Sequence, residues 1–136
     1  MTAYPITVYY VASCPLCCAE IETMKSRDVR ERMRLVDCSA IDFVEPEGVS
    51  RDLLMSRIHA RDANGAWLRG IDVLAAVYEA AGFPRIARVC RSAMLRPLLD
   101  RVYPWIADHR RILSALGLAR LFHLARRPAC AACARV

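Results

Sequence analysis

Ile6-Thr7-Val8-Tyr9-Tyr10-Val11-Ala12-Ser13-Cys14-Pro15-Leu16-Cys17-Cys18 reads as a strand, a turn, and the opening of a helix that carries paired cysteines. Ile6 to Tyr10 is β-branched and aromatic and follows Pro5, the composition of a buried strand. Ser13 is the expected N-cap, and Glu20 and Glu22 place acid near the helix start, where the macrodipole favours it. A helix beginning at or just after Cys14 would stabilise a thiolate there through its dipole and its free N–H groups. Cys17 then lies about one turn further along, within reach of a mixed disulfide on Cys14. Cys14 is thus the candidate nucleophile and Cys17 the candidate resolving thiol. Two other readings stand beside this one: a lone Cys-x-x-Cys is also half of a metal site, and helix cysteines can pack as small hydrophobes.

At 136 residues and 56% apolar, the chain has material for one globular domain with a sizeable core. The net charge of +6 comes from 19 arginines and the single Lys25, spread along the whole length. Diffuse charge without a reading motif does not indicate a nucleic-acid partner. Seven cysteines, an odd number in a chain with this apolar content, do not form the staple pattern of a small secreted domain, so a reducing, cytoplasmic setting is expected. Val11-Ala12-Ser13-Cys14 has the look of a lipoprotein cleavage box, but no lysine or arginine precedes Cys14, and Thr2, Pro5 and Thr7 interrupt the apolar run, against a secretory signal. No stretch is long and charge-free enough for a membrane span.

After the opening strand the pattern alternates. A helix is expected from Pro15 to about Asp28, with Cys17, Ile21 and Met24 on one stripe, followed by a strand from Met33 to Cys38. Strand, helix and strand of this length imply a parallel pair with a right-handed crossover. The acidic segment 39–50 reads as a loop leading into a short helix from Ser50 to Leu54. Ile58 to Ala60 and Ala66 to Leu68 flank Asp62-Ala63-Asn64-Gly65, and Asn-Gly is a strong hairpin signal. A helix over Ile71 to Ala81 is stopped by Gly82 and Pro84. Cys38 reads as structural, and His59 as a hydrogen-bonded strand histidine rather than a ligand or base.

That order, β-α-β and then β-β-α, is the order of a thioredoxin-like α/β fold, here with a C-terminal α-helical extension. Val8-Tyr9-Tyr10 followed by Cys14-Pro15-Leu16-Cys17 resembles the DCC family of thiol-disulfide oxidoreductases, named for an Asp-x-x-Cys-x-x-Cys motif. Asn64-Gly65 with Arg69-Gly70 looks like that family's hairpin. The run from Arg96 to Ala107, containing Tyr103, Ile106 and Ala107, together with Arg110, looks like its C-terminal helical segment. The resemblance implies dithiol chemistry at Cys14 and Cys17. Val11 stands where the motif has Asp, and Ala12 where Gly is usual, so an unchanged reaction with altered rate or pH dependence is expected. No proline occurs between Leu53 and Ile58, where thioredoxins place a cis-proline opposite the cysteines, and this puts substrate docking there in doubt.

The chain divides, on this reading, into a thioredoxin-like core (1–83), a helical extension packed on it (84–127) and a flexible cysteine-bearing tail (128–136). Helices are expected over Pro84 to Arg91, Met94 to Trp105 and Ile106 to about Arg127, with Pro97, Pro104 and Gly117 as punctuation. Arg110, Arg111, Arg120, Arg126 and Arg127 interleave with leucines. A basic amphipathic helix of this kind either packs its apolar face on the core or lies on an anionic membrane. His109 and His123 read as surface or packing residues. Cys18, one turn from Cys14, and the second Cys-x-x-Cys, Cys130 and Cys133, are possible accessory thiols.

The sequence therefore points to a thiol-disulfide oxidoreductase of the protein-disulfide reductase type, acting on protein or small-molecule disulfides. It needs no organic cofactor and no metal. The alternative is a thiolate module in which Cys14 and Cys17, alone or with the accessory thiols, hold zinc or Cu(I) without turnover.

Overall fold

A computed structural model describes residues 1–125. Its elements run β1 (Ile6–Tyr10), α1 (Pro15–Arg27), β2 (Met33–Asp37), α2 (Arg51–Ser56), β3 (His59–Arg61), β4 (Trp67–Arg69), α3 (Ile71–Ala80), α4 (Pro84–Cys90), α5 (Arg96–Ala115) and α6 (Leu118–Ala125). The four strands lie in the order β2-β1-β3-β4, with β1 parallel to β2 and antiparallel to β3, and β3 antiparallel to β4. This mixed α/β arrangement is thioredoxin-like, as the order of elements predicts.

Alternation along β1 decides which face each side chain serves. Ile6 and Val8 are fully buried beneath Ile21 and Met24 of α1 and Val73 and Val77 of α3. Tyr9 points the other way, joining Cys38, Val49 and Leu54 beneath α2. The β3–β4 hairpin turns where expected. Asp62 accepts from the N–H groups of Asn64 and Ala66, both at 2.9 Å, and Gly65 takes a φ of +85° that a residue with a side chain adopts at a cost. The connection from α1 to β2 is held by Asp28, a buried carboxylate that accepts from the N–H groups of Arg32 (2.9 Å) and Met33 (2.7 Å) and pairs with Lys25.

Two local expectations are overturned. The N-cap of α1 is Cys14 itself, not Ser13: the Cys14 Sγ accepts from the Cys17 N–H at 3.5 Å. The boundary expected at Pro104 is also absent, because α5 continues through that proline to Ala115. A mid-helix proline costs a backbone hydrogen bond, but contacts on both sides hold the axis. Arg96 bonds Asp72 and Asp100, the Tyr103 hydroxyl accepts from the Ile58 N–H at 3.0 Å, and Arg110 donates to the Met55 carbonyl at 2.8 Å. Gly117 (φ +89°) then separates α5 from α6.

Candidate active site

Cys14 and Cys17 come together at the first turn of α1, presented by the end of β1. The segment from β1 to Cys14 is held from the end of β2: the Ala12 N–H and the Ser39 hydroxyl both bond the Asp37 carboxylate, at 3.0 and 2.6 Å. Burial pushes that carboxyl up, yet the Ser39 hydroxyl and the Ala12 and Ser39 N–H groups prevail and hold it below its usual range. The chain therefore keeps a carboxylate beside the cysteine loop although Val11 occupies the position three before Cys14.

The two thiols are strongly unlike. Cys14 is pulled down to about 6, first by the hydrogen bond it accepts from the Cys17 thiol, against burial, and then by the Cys17 N–H, Arg110 and the Leu16 N–H. Cys17 moves far upward, because its proton is held in the bond to Cys14 and because burial and the Cys14 charge oppose its ionisation. The contacts of the pair thus favour the anion on Cys14 and oppose it on Cys17. Cys14 is only 7% exposed, packed with Val11 and Leu16 and flanked by Leu113 of α5 and Phe122 of α6. Cys17 is half-buried.

Beside Cys17, between α1 and α5, lies a cavity of ≈ 70 Å³. Tyr103, Ile106, Ala107 and Arg110 line its α5 side, so the Tyr-x-x-Ile-Ala-x-x-Arg run wraps the dithiol. Gly70 is where this closure needs a residue without a side chain: an added Cβ would meet the Tyr103 ring at 3.3 Å, at a φ of +53°.

A family model of DCC1-like thiol-disulfide oxidoreductases matches residues 8–116, which take in the strand, the cysteine pair, the hairpin and α5. The chain belongs to this family. Membership places this DCC1-like protein among thiol-disulfide oxidoreductases in general. An uncharacterised chloroplastic protein of Arabidopsis thaliana is 26% identical over 110 residues, covering 79% of this chain and 51% of its own length. The chain thus spans about half the length of that relative. No solved structure matches it.

Other residues singled out in the sequence separate into distinct surroundings. The Cys18 thiol bonds Glu22 at 3.2 Å, on α1. Cys38 is buried under the sheet, and burial raises it to about 11. His59 donates from Nδ1 to the Arg57 carbonyl at 2.9 Å and packs edge-on to Trp67; burial lowers its pKa, as suits a neutral strand histidine. His109 bonds the Trp105 carbonyl and stacks on the Trp105 ring. Among the described residues no three His, Cys, Asp or Glu side chains gather as metal ligands, and no helix is long and apolar enough to cross a membrane. Cys130, Cys133, Arg126, Arg127 and the His123 side chain lie outside the described residues.

Glu20 went unread in the sequence as a site residue. It does not serve the helix start, since no acid occupies the first turn of α1. It is half-buried, lines the cavity, and its carboxyl accepts from the Tyr78 hydroxyl at 3.0 Å. The available signal was its spacing, three residues after Cys17 and hence on the same side of the helix.

Proposed function

We propose that Cys14 and Cys17 form a redox dithiol that reduces protein or small-molecule disulfides. The Cys14 thiolate attacks a substrate sulfur, and a mixed disulfide forms as one substrate thiolate leaves. Cys17 then attacks Cys14, the Cys14–Cys17 disulfide closes, and the second substrate sulfur departs reduced. A thiol donor restores the dithiol. The observation that carries this reading is the geometry of the pair: Cys14 caps α1, its sulfur accepts the Cys17 N–H at 3.5 Å, and the Cys17 thiol and N–H both lower its pKa.

The test is trapping. Cys17→Ser should accumulate a stable mixed disulfide on Cys14, found by mass mapping, while Cys14→Ser should trap nothing and lose disulfide reductase activity. Trapping at any other cysteine, with Cys14 inert, would remove the assignment.

The five free thiols among the described residues suit a reducing compartment, the cytoplasm or the chloroplast of the Arabidopsis relative's name. Peripheral contact with an anionic membrane is a second partner reading. Leu98, Val102, Trp105 and Ile112 form an exposed stripe along α5 with Arg101 beside it. Sedimentation with anionic liposomes, lost in Trp105→Ser, tests it.

A further inference from the structure

A carboxyl group drawn partly out of water without an ion-pair partner is costlier to ionise than one in open solvent. Glu20 is such a group: among the described residues no lysine or arginine forms an ion pair with it, and its one hydrogen-bond partner is the Tyr78 hydroxyl. It shares its cavity with Cys17, which stands one turn earlier on α1. Burial holds its pKa above the usual carboxylate range, while the Tyr78 hydroxyl draws it back down.

The reaction creates a need at this place. In the resting pair the Cys17 proton rests in a hydrogen bond to the Cys14 thiolate. Once Cys14 has been consumed in a mixed disulfide, that acceptor and its charge are gone, yet Cys17 must ionise to attack. Asp37 is engaged by the Ala12 and Ser39 groups on the loop side, and Glu22 by Cys18. Glu20 is the carboxyl group that lines the cavity with Cys17.

Resting on the dithiol reading above, we propose that Glu20 is the proton acceptor for Cys17 in the step that resolves the mixed disulfide. The Cys17 thiol gives its proton to the Glu20 carboxylate, directly or through water, for which the ≈ 70 Å³ cavity has room. The Cys17 thiolate attacks the Cys14 sulfur, the Cys14–Cys17 bond forms, and the bond from Cys14 to the substrate sulfur breaks with its electron pair on the substrate. The cysteine pair is oxidised by two electrons and the substrate disulfide is reduced by two. The departing thiolate takes a proton from solvent, and Glu20 returns its own to water. Tyr78 positions the carboxylate. The groups that face it are Cys17 from α1, Tyr78 from α3, Cys90 from α4, and Tyr103 and Arg110 from α5, with Arg57 at the cavity.

Rapid mixing of the reduced full-length protein with one equivalent of an aromatic disulfide separates the steps. Aryl thiolate appears first as Cys14 is modified and again as Cys17 closes the ring, with mass mapping to confirm the Cys14–Cys17 bond. Glu20→Gln should leave the first phase unchanged, slow the second by about 10²-fold at neutral pH, and move its pH midpoint upward. Tyr78→Phe, which keeps the carboxylate but removes the donor that lowers its pKa, should also raise that midpoint; this variant decides the matter if Glu20→Gln fails to fold. A second phase with unaltered rate and midpoint in these variants overturns the role of Glu20 while leaving the dithiol intact. Absence of a Cys14 phase in the unmodified protein overturns the dithiol reading itself, and this inference with it.

Discussion

Replacing Cys17 by alanine removes the strongest influence on Cys14, the thiol hydrogen bond that helps pull it from an ordinary 9.0 to about 6. If Cys14 returned fully to its ordinary value, its thiolate fraction at pH 7 would fall about 90-fold. Its rate with a small disulfide would fall much less, because a more basic thiolate is intrinsically more nucleophilic: with a Brønsted coefficient of about 0.45, a rise of about three pKa units returns a factor of about 20. The net loss at pH 7 is then about 4-fold, and the order reverses in alkali, where Cys17→Ala should react about 20-fold faster than the parent. The two rate profiles should cross near pH ~7.7. Arg110 and the helix N–H groups stay in place in the variant, so these figures are upper limits. Rates for Cys14 alone, followed by mass mapping of the labelled peptide from pH 5 to 10, supply the assay. Parallel profiles with no crossing would mean that Cys17 does not set the ionisation of Cys14.

Three further outcomes follow from other contacts. Phe122→Ala removes one ring packed near Cys14, which is only 7% exposed, and should speed its alkylation several-fold without shifting the midpoint of its pH profile; an unchanged rate would mean that α6 does not limit access. Asp28→Ala strips a buried carboxylate from the Arg32 and Met33 N–H groups and should cost roughly 2–4 kcal/mol in denaturant unfolding, with a loss below 1 refuting the account. Glu20→Gln should stabilise the fold in a pH-dependent way. An acid raised above its unfolded value penalises the folded state once pH exceeds that unfolded value, with the penalty complete above the folded one. The variant should therefore match the parent only in acid below the usual carboxylate range and exceed it near pH 8, as chemical denaturation at the two pH values would show.

The sequence by itself determined the strand and helix order, the hairpin at Asn64-Gly65, and the pairing of Cys14 with Cys17 at a helix start, because each depends on residues within one or two turns of each other. Local rules misplaced the cap: α1 begins at Pro15, so Cys14 and not Ser13 stands at the capping position, and its sulfur accepts the Cys17 N–H. They also placed a break at Pro104 that bonds to Asp72, Ile58 and Met55 override. What only the tertiary structure decided is the environment of the sulfurs. Arg110 lies more than ninety residues from Cys14 in the chain and still lowers its pKa, and the Tyr78 hydroxyl reaches Glu20 from a different helix. Desolvation and Coulomb interaction depend on distance through space, and no pattern along the chain records which distant side chains will share a cavity.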